Sequence, residues 1–115
     1  VFEREGNNIY LTVPISFTDA ALGAEIEVPT LDGIVNYTIS EGTQTGTQFR
    51  LKNKGVPNVR GVGKGDLYFT VEVQVPKGLT NKQKELLKEF AKEGGEYHKE
   101  VKKGFFDKVK DAFGN

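Results

Sequence analysis

The chain has 115 residues with 37% hydrophobic side chains, 14 Gly, 4 Pro and no Cys, which suits one turn-rich compact core and excludes a disulfide framework or a thiolate metal site, with a reducing compartment as the simplest setting. Its 16 basic and 16 acidic residues cancel, and the imbalance between the acidic residues 1–76 and the basic residues 77–115 is too mild for the strongly basic domain that nucleic-acid binding requires. No apolar run is long enough for a transmembrane helix or a signal-peptide core, so no membrane partner is expected.

Ile9, Leu11, Val13, Ile15 and Phe17 alternate with Tyr10, Thr12, Pro14 and Ser16, the period-two pattern of a strand with one core face. Pro14 cannot donate to a ladder, which predicts an edge or a bulge near it. Thr18-Asp19 offers N-cap chemistry to Ala20-Ala21-Leu22, and Gly23 stops what can be only one helical turn. Glu25 to Pro29 resumes the alternation, Leu31-Asp32-Gly33 reads as a turn, and Val35, Tyr37 and Ile39 lead on through the polar run Glu41–Thr47 to Phe49 and Leu51, a β-meander pattern. Lys52–Gly65, KNKGVPNVRGVGKG, is rich in Gly and positive charge. A P-loop needs Gly, four residues, then Gly-Lys-Ser/Thr; here Asn58 stands at the first position and Gly65 follows Lys64. A flexible surface loop is the expectation there.

Leu67, Phe69, Val71, Val73 and Val75 form the cleanest strand face, ended by Pro76. Thr80-Asn81-Lys82-Gln83 is a capping box that opens a helix running to Lys92 or Glu93, before Gly94-Gly95. On that helix Leu86, Leu87, Phe90 and Ala91 share one arc, while Lys84, Lys88 and Lys92 line up beside Glu85, Glu89 and Glu93. Like charges four apart oppose the helix and Glu85–Lys88 and Glu89–Lys92 only partly offset them, so packing of the apolar arc must stabilise it. After a polar connector, Phe105, Phe106, Val109 and Phe113 fall within one helical arc, a candidate accessory docking helix outside the β core. The whole pattern predicts a mainly β fold: a small two-sheet β-sandwich with a one-turn helix near residues 18–22 and a C-terminal helix near 80–93.

Catalytic chemistry finds little support. His98, the only histidine, has no sequence partner for a metal site or a dyad, and neither Ser16 nor Ser40 lies in a G-x-S-x-G elbow. Glu25 and Glu27 share the outward face of a strand, where carboxylates are usually solvated. Asn36-Tyr37-Thr38 matches a glycosylation sequon by chance in a chain without a secretory signal. Tyr10, Tyr37 and Tyr68 are either exposed contacts or ordinary strand residues, the latter expected. No enzyme is indicated.

The run Val13–Gly33, VPISFTDAALGAEIEVPTLDG, together with Gly42–Gly46, Phe49–Leu51, Lys54–Pro57, Gly65–Leu67 and Leu79–Phe90, closely resembles the second C-terminal β-domain of the bacterial DnaJ family of J-domain co-chaperones. The resemblance covers nearly the whole chain and implies a C-terminal fragment, because the His-Pro-Asp signature of the J-domain and the Cys-x-x-Cys repeats of the zinc module are not in it. It divides the chain into residues 1–8, the end of a preceding β-domain and hinge; 9–78, the β-domain; 79–93, a dimerisation helix; and 94–115, a connector and amphipathic tail. It further implies a cytoplasmic, heat-shock co-chaperone module that forms a homodimer and helps hold unfolded polypeptide clients for transfer to the DnaK ATPase, in protein folding and the stress response. No cofactor is then expected in this fragment, zinc belonging to the cysteine-rich module. For a generic helix the apolar arc Leu86, Leu87, Phe90 and Ala91 would cover its own sheet, but the family dimerises through a helix at this place, which makes the arc the expected dimer interface. Two other readings remain open: a purely structural spacer and dimeriser, and an unrelated ligand-binding β-sandwich.

Overall fold

The computed structural model describes residues 2–94, and the chain divides into two compact units, Val1–Pro76 and Lys77–Asn115. The first unit is built from six strands and one short helix: β1 (Glu3–Glu5), β2 (Asn8–Ser16), α1 (Phe17–Leu22), β3 (Ala24–Thr30), β4 (Gly33–Ile39), β5 (Gln48–Leu51) and β6 (Leu67–Gln74). They form a four-stranded sheet in the order β1-β2-β6-β5 and a two-stranded sheet of β3 and β4. The two-sheet β architecture matches the expectation from the strand periodicities.

The meander does not form. Among the described residues β4 pairs only with β3, and β2 and β6 lie parallel over eight residues, from Ile9 beside Leu67 to Ser16 beside Gln74. A parallel pair needs a long crossover, and α1, the β3–β4 hairpin and β5 all lie within it. The crossover carries the hairpin over the inner face of the larger sheet. Ile9, Leu11, Val13 and Ile15 of β2 and Leu67, Phe69 and Val71 of β6 meet Ile26 and Val28 of β3 and Ile39 of β4 in one buried cluster. Phe69 is its centre: fully buried, stacked on Phe49 at 5.1 Å and met edge-on by Tyr37 at 5.2 Å. Each such side chain removed from water contributes about 1.5–3 kcal/mol, and the aromatic geometries fall in the favoured stacked and T-shaped classes.

Pro14 occupies an edge for a local reason. The Ile9 N–H donates to the Asp66 carbonyl toward β6, so by strand alternation the even-numbered nitrogens of β2 point the other way. On that side the ladder with β1 ends at Tyr10, and the missing N–H of Pro14 leaves no ladder bond unmade. β1 itself comes from residues 1–8, pairing Glu3, Arg4 and Glu5 with Tyr10, Ile9 and Asn8.

Three local expectations are corrected. The cap of α1 is Ser16, whose Oγ accepts the Asp19 N–H at 3.0 Å, and not Thr18-Asp19. Phe17 consequently belongs to the helix rather than to the strand, which ends one residue earlier. Val75 is 79% exposed, because the β2 ladder stops at the Ser16–Gln74 pair and none of the described residues continues the sheet beside it.

The second unit contains α2 (Asn81–Glu93), at the predicted place. Its capping box is complete: the Gln83 N–H donates to Thr80 Oγ1 at 3.1 Å, and the Thr80 N–H donates to Gln83 Oε1 at 2.8 Å.

Candidate functional site

The dimer residues expected from the sequence lie on α2, at spacings of one, four and five residues that put them on one face. Leu86 is 51% and Phe90 67% exposed, whereas Leu87 and Ala91 are half-buried. An exposed leucine and phenylalanine one turn apart form an apolar spot rather than a scattered pair. His98, Phe105, Phe106, Val109 and Phe113 lie outside the described residues.

A second surface is main-chain in character. Among the described residues β5 is hydrogen-bonded only to β6, and β3 and β4 only to each other. Each therefore presents one edge of ladder donors and acceptors, the feature that lets an extended chain add as a further strand. Leu22, Leu31 and Ile34 of α1 and the hairpin are exposed as well.

The basic Lys52–Gly65 segment is not the flexible loop expected, but a hydrogen-bonded finger. The Gly55 N–H donates to the Gly65 carbonyl at 2.8 Å, the Gly65 N–H to the Val56 carbonyl at 2.9 Å, and the Asn58 N–H to the Gly63 carbonyl at 2.9 Å. Its base is fixed to the turn before β2, where the Val56 N–H donates to the Asn7 carbonyl at 2.8 Å. Gly55 and Gly65 are required there, since a Cβ on either would collide with the Asn7 carbonyl oxygen. Asp66 gathers the remaining bonds: its carboxylate accepts from the Asn53 N–H at 2.9 Å and from Arg50 Nε at 2.7 Å, and its own N–H donates to Asn8 Oδ1 at 2.8 Å. The Asn53 N–H, and then Arg50, hold the Asp66 carboxyl below its ordinary range although partial burial opposes them. Lys64 reaches the β3–β4 turn and bonds Asp32 at 2.9 Å, which lowers that carboxyl too. These contacts use the segment's polar groups to position Val59 and Val62 at an exposed tip. No phosphate cradle results, because a strand and not a helix follows the glycines.

The three tyrosines have different fates. Tyr37 packs into the aromatic cluster with Phe49 and Phe69, an ordinary core role. Tyr10 and Tyr68 stack on each other at 5.2 Å on the outward face of the larger sheet, a pairing that no local sequence signal announces because the two lie 58 positions apart. Glu25 and Glu27 are exposed on β3, and among the described residues no three His, Cys, Asp or Glu side chains gather to hold a metal ion.

These features define a small two-sheet β module whose prominent surfaces suit docking: strand edges, an ordered finger and an amphipathic helix. The chain matches the family model of the DnaJ C terminal domain over residues 1–100, and it belongs to that family. It is 62% identical to the Chaperone protein DnaJ of Ruminiclostridium cellulolyticum, 58% to that of Clostridioides difficile and 55% to that of Acetivibrio thermocellus, over 98%, 98% and 99% of its own length. It spans only 30%, 29% and 30% of those relatives. Among the described residues no helix is long and apolar enough to cross a membrane.

Proposed function

We propose that this chain is a non-catalytic module of a DnaJ-type cytoplasmic co-chaperone, which joins two protomers through α2 and helps hold non-native polypeptide for transfer to a DnaK-type ATPase. The observation that carries the reading is the apolar spot on α2, with Leu86 and Phe90 exposed in a chain whose relatives are named as chaperones. At a two-fold axis the face meets its own copy, so each residue is buried twice. Given their present exposure, Leu86 and Phe90 would each gain about 1–2 kcal/mol, scaled down from about 1.5–3 for a fully exposed side chain. Four such side chains only begin to exceed the cost of association, about 4 kcal/mol or more. The dimer is therefore one whose mass depends on concentration.

Client holding follows from the free strand edges. Main-chain hydrogen bonds to an added strand are blind to side-chain identity, which suits a partner that must accept many unfolded sequences. No metal or organic cofactor enters this scheme.

The test is mass measurement across concentration for the chain and for the double variant Leu86→Glu, Phe90→Glu, with the far-ultraviolet spectrum recorded in parallel. A folded monomer is expected. An undisturbed dimer would put the interface elsewhere, and an unfolded variant would assign the arc to a core. Titration with an unfolded protein separates holding from spacing: absence of binding would leave a structural spacer and dimeriser.

A further inference from the structure

The outward face of the four-stranded sheet carries a chemistry that the proposed function has not used. Directly paired residues share a face, and the register sets Glu3 opposite Tyr10, Tyr10 beside Tyr68, and Tyr68 opposite Arg50 in one row across all four strands. The next row contains Thr12 and Thr70. The two tyrosine rings are inclined by only 13° and are half-buried. Beside them lies a shallow groove of about 380 Å³ lined by Glu3, Tyr10, Leu11, Thr12 and Thr70.

The charge on this face is one-sided. Glu3 stands at the rim of the groove, and Glu5 and Glu72 lie on the same face, opposite Asn8 and beside Pro14. All three are exposed. Arg50 is the cation of the row, and its guanidinium is already committed to Asp66, with Nη2 at 2.6 Å and Nε at 2.7 Å from Oδ2. Among the described residues, what remains is an aromatic platform, two hydroxyls and a carboxylate without a compensating charge on the platform. An anion is repelled here, while a cation finds a ring quadrupole, a counter-charge and hydrogen-bond acceptors together.

We propose that this groove binds the cationic side chain, arginine above all, of an extended segment of non-native polypeptide. The planar guanidinium stacks against the Tyr10–Tyr68 pair and donates to the Glu3 carboxylate and to the Thr12 and Thr70 hydroxyls. The inference rests on the client-holding reading and deepens it by naming a side-chain class: the strand edges take main chain without preference, and this face adds a bias toward basic segments.

Two fluorescent extended peptides, identical except for a central arginine or its uncharged isostere citrulline, test it against the full chain by anisotropy, with amide shifts recorded by NMR. The arginine peptide is expected to bind about two- to fivefold more tightly, the range of an exposed cation–π contact. The shifts should centre on Thr12, Tyr68 and Thr70, and Glu3→Gln should abolish most of the preference. Tyr68→Thr, a strand-compatible change, should weaken the arginine peptide alone; should that variant not fold, Glu3→Gln still decides. Equal affinity for the two peptides, or shifts confined to another surface, overturns this site and leaves client holding intact. Failure of both peptides and of an unfolded protein to bind overturns both readings.

Discussion

Gly65→Ala tests whether the finger is a built part of the domain. The new Cβ would be driven into the backbone of Asn7, so either the finger or the turn before β2 must move. The bonds at risk are Val56 to Asn7, Gly55 to Gly65 and Gly65 to Val56, at 2.8, 2.8 and 2.9 Å. Loss of two or three at about 0.5–1.5 kcal/mol each gives a cost of about 1–4.5 kcal/mol. That is a large share of the roughly 5–15 kcal/mol that keeps a domain folded. Gly61→Ala is the control in the same segment: its Cβ would meet only Asn58 Nδ2 at 3.7 Å, and its backbone is not in the left-handed region. There, restriction of the unfolded chain makes the change neutral or stabilising by a few tenths of a kcal/mol up to about 1. Urea denaturation of the three proteins reads the difference, and amide exchange at Val56 reports the local bond. Equal midpoints for Gly65→Ala and the parent would show that the finger is not held through Asn7.

Phe69→Ala removes the centre of the aromatic cluster and should cost about 3–5 kcal/mol by urea melting, since Phe69 is fully buried between Phe49 and Tyr37; a loss under 1 kcal/mol would mean the cluster is dispensable. Because the Asp66 and Asp32 carboxyls are held below their ordinary value of 3.8, their stabilising contribution is complete above that value and declines as pH falls through the depressed folded-state values. Asp66→Asn should flatten this acid limb of the stability curve, and an unchanged limb would assign it to other carboxylates. Thr80→Ala removes the Oγ1 that accepts the Gln83 N–H, while its own backbone N–H can still donate to Gln83 Oε1, and should destabilise α2 by about 0.5–2 kcal/mol, read as a loss of helical signal at 222 nm with the strand contribution retained; full helicity in the variant would argue that the cap is redundant.

The elements themselves were legible because their period is local. Leu67, Phe69 and Val71 alternate with polar residues and are fully buried; Thr80 and Gln83 stand at the spacing a capping box requires, and both bonds form. Structure and sequence pattern part where two local signals compete or where the partner is remote. Ser16 and Thr18 are both capping residues, and only the geometry of the strand-to-helix turn selects Ser16. Val75 continues an apolar alternation past the point where a neighbouring strand exists. The meander failed because alternation says which residues face the core and nothing about which strand lies alongside: β2 and β6 satisfy the same pattern whether paired with neighbours in sequence or, as here, with each other. Of the candidate sites, the α2 face could be read from helical spacing, while the Tyr10–Tyr68 platform exists only once that parallel register is known.

The same register gives a role to the ties that the residues just before and at the start of β2 make to the finger. Asn7 accepts from the finger through its carbonyl and Asn8 accepts from Asp66 through its side chain, so two consecutive asparagines tie the start of β2 to the end of the crossover. The tie falls where the parallel pair begins, with Ile9 beside Leu67. Parallel pairing has no hairpin to set its register, and a slip by one residue would turn Ile9, Leu11, Val13 and Ile15 out of the core and Tyr10 into it. The bonds from Asn7 and Asn8 replace the missing turn. They position Tyr10 beside Tyr68 as a consequence, and a surface for basic segments thereby depends on the same contacts that align the core.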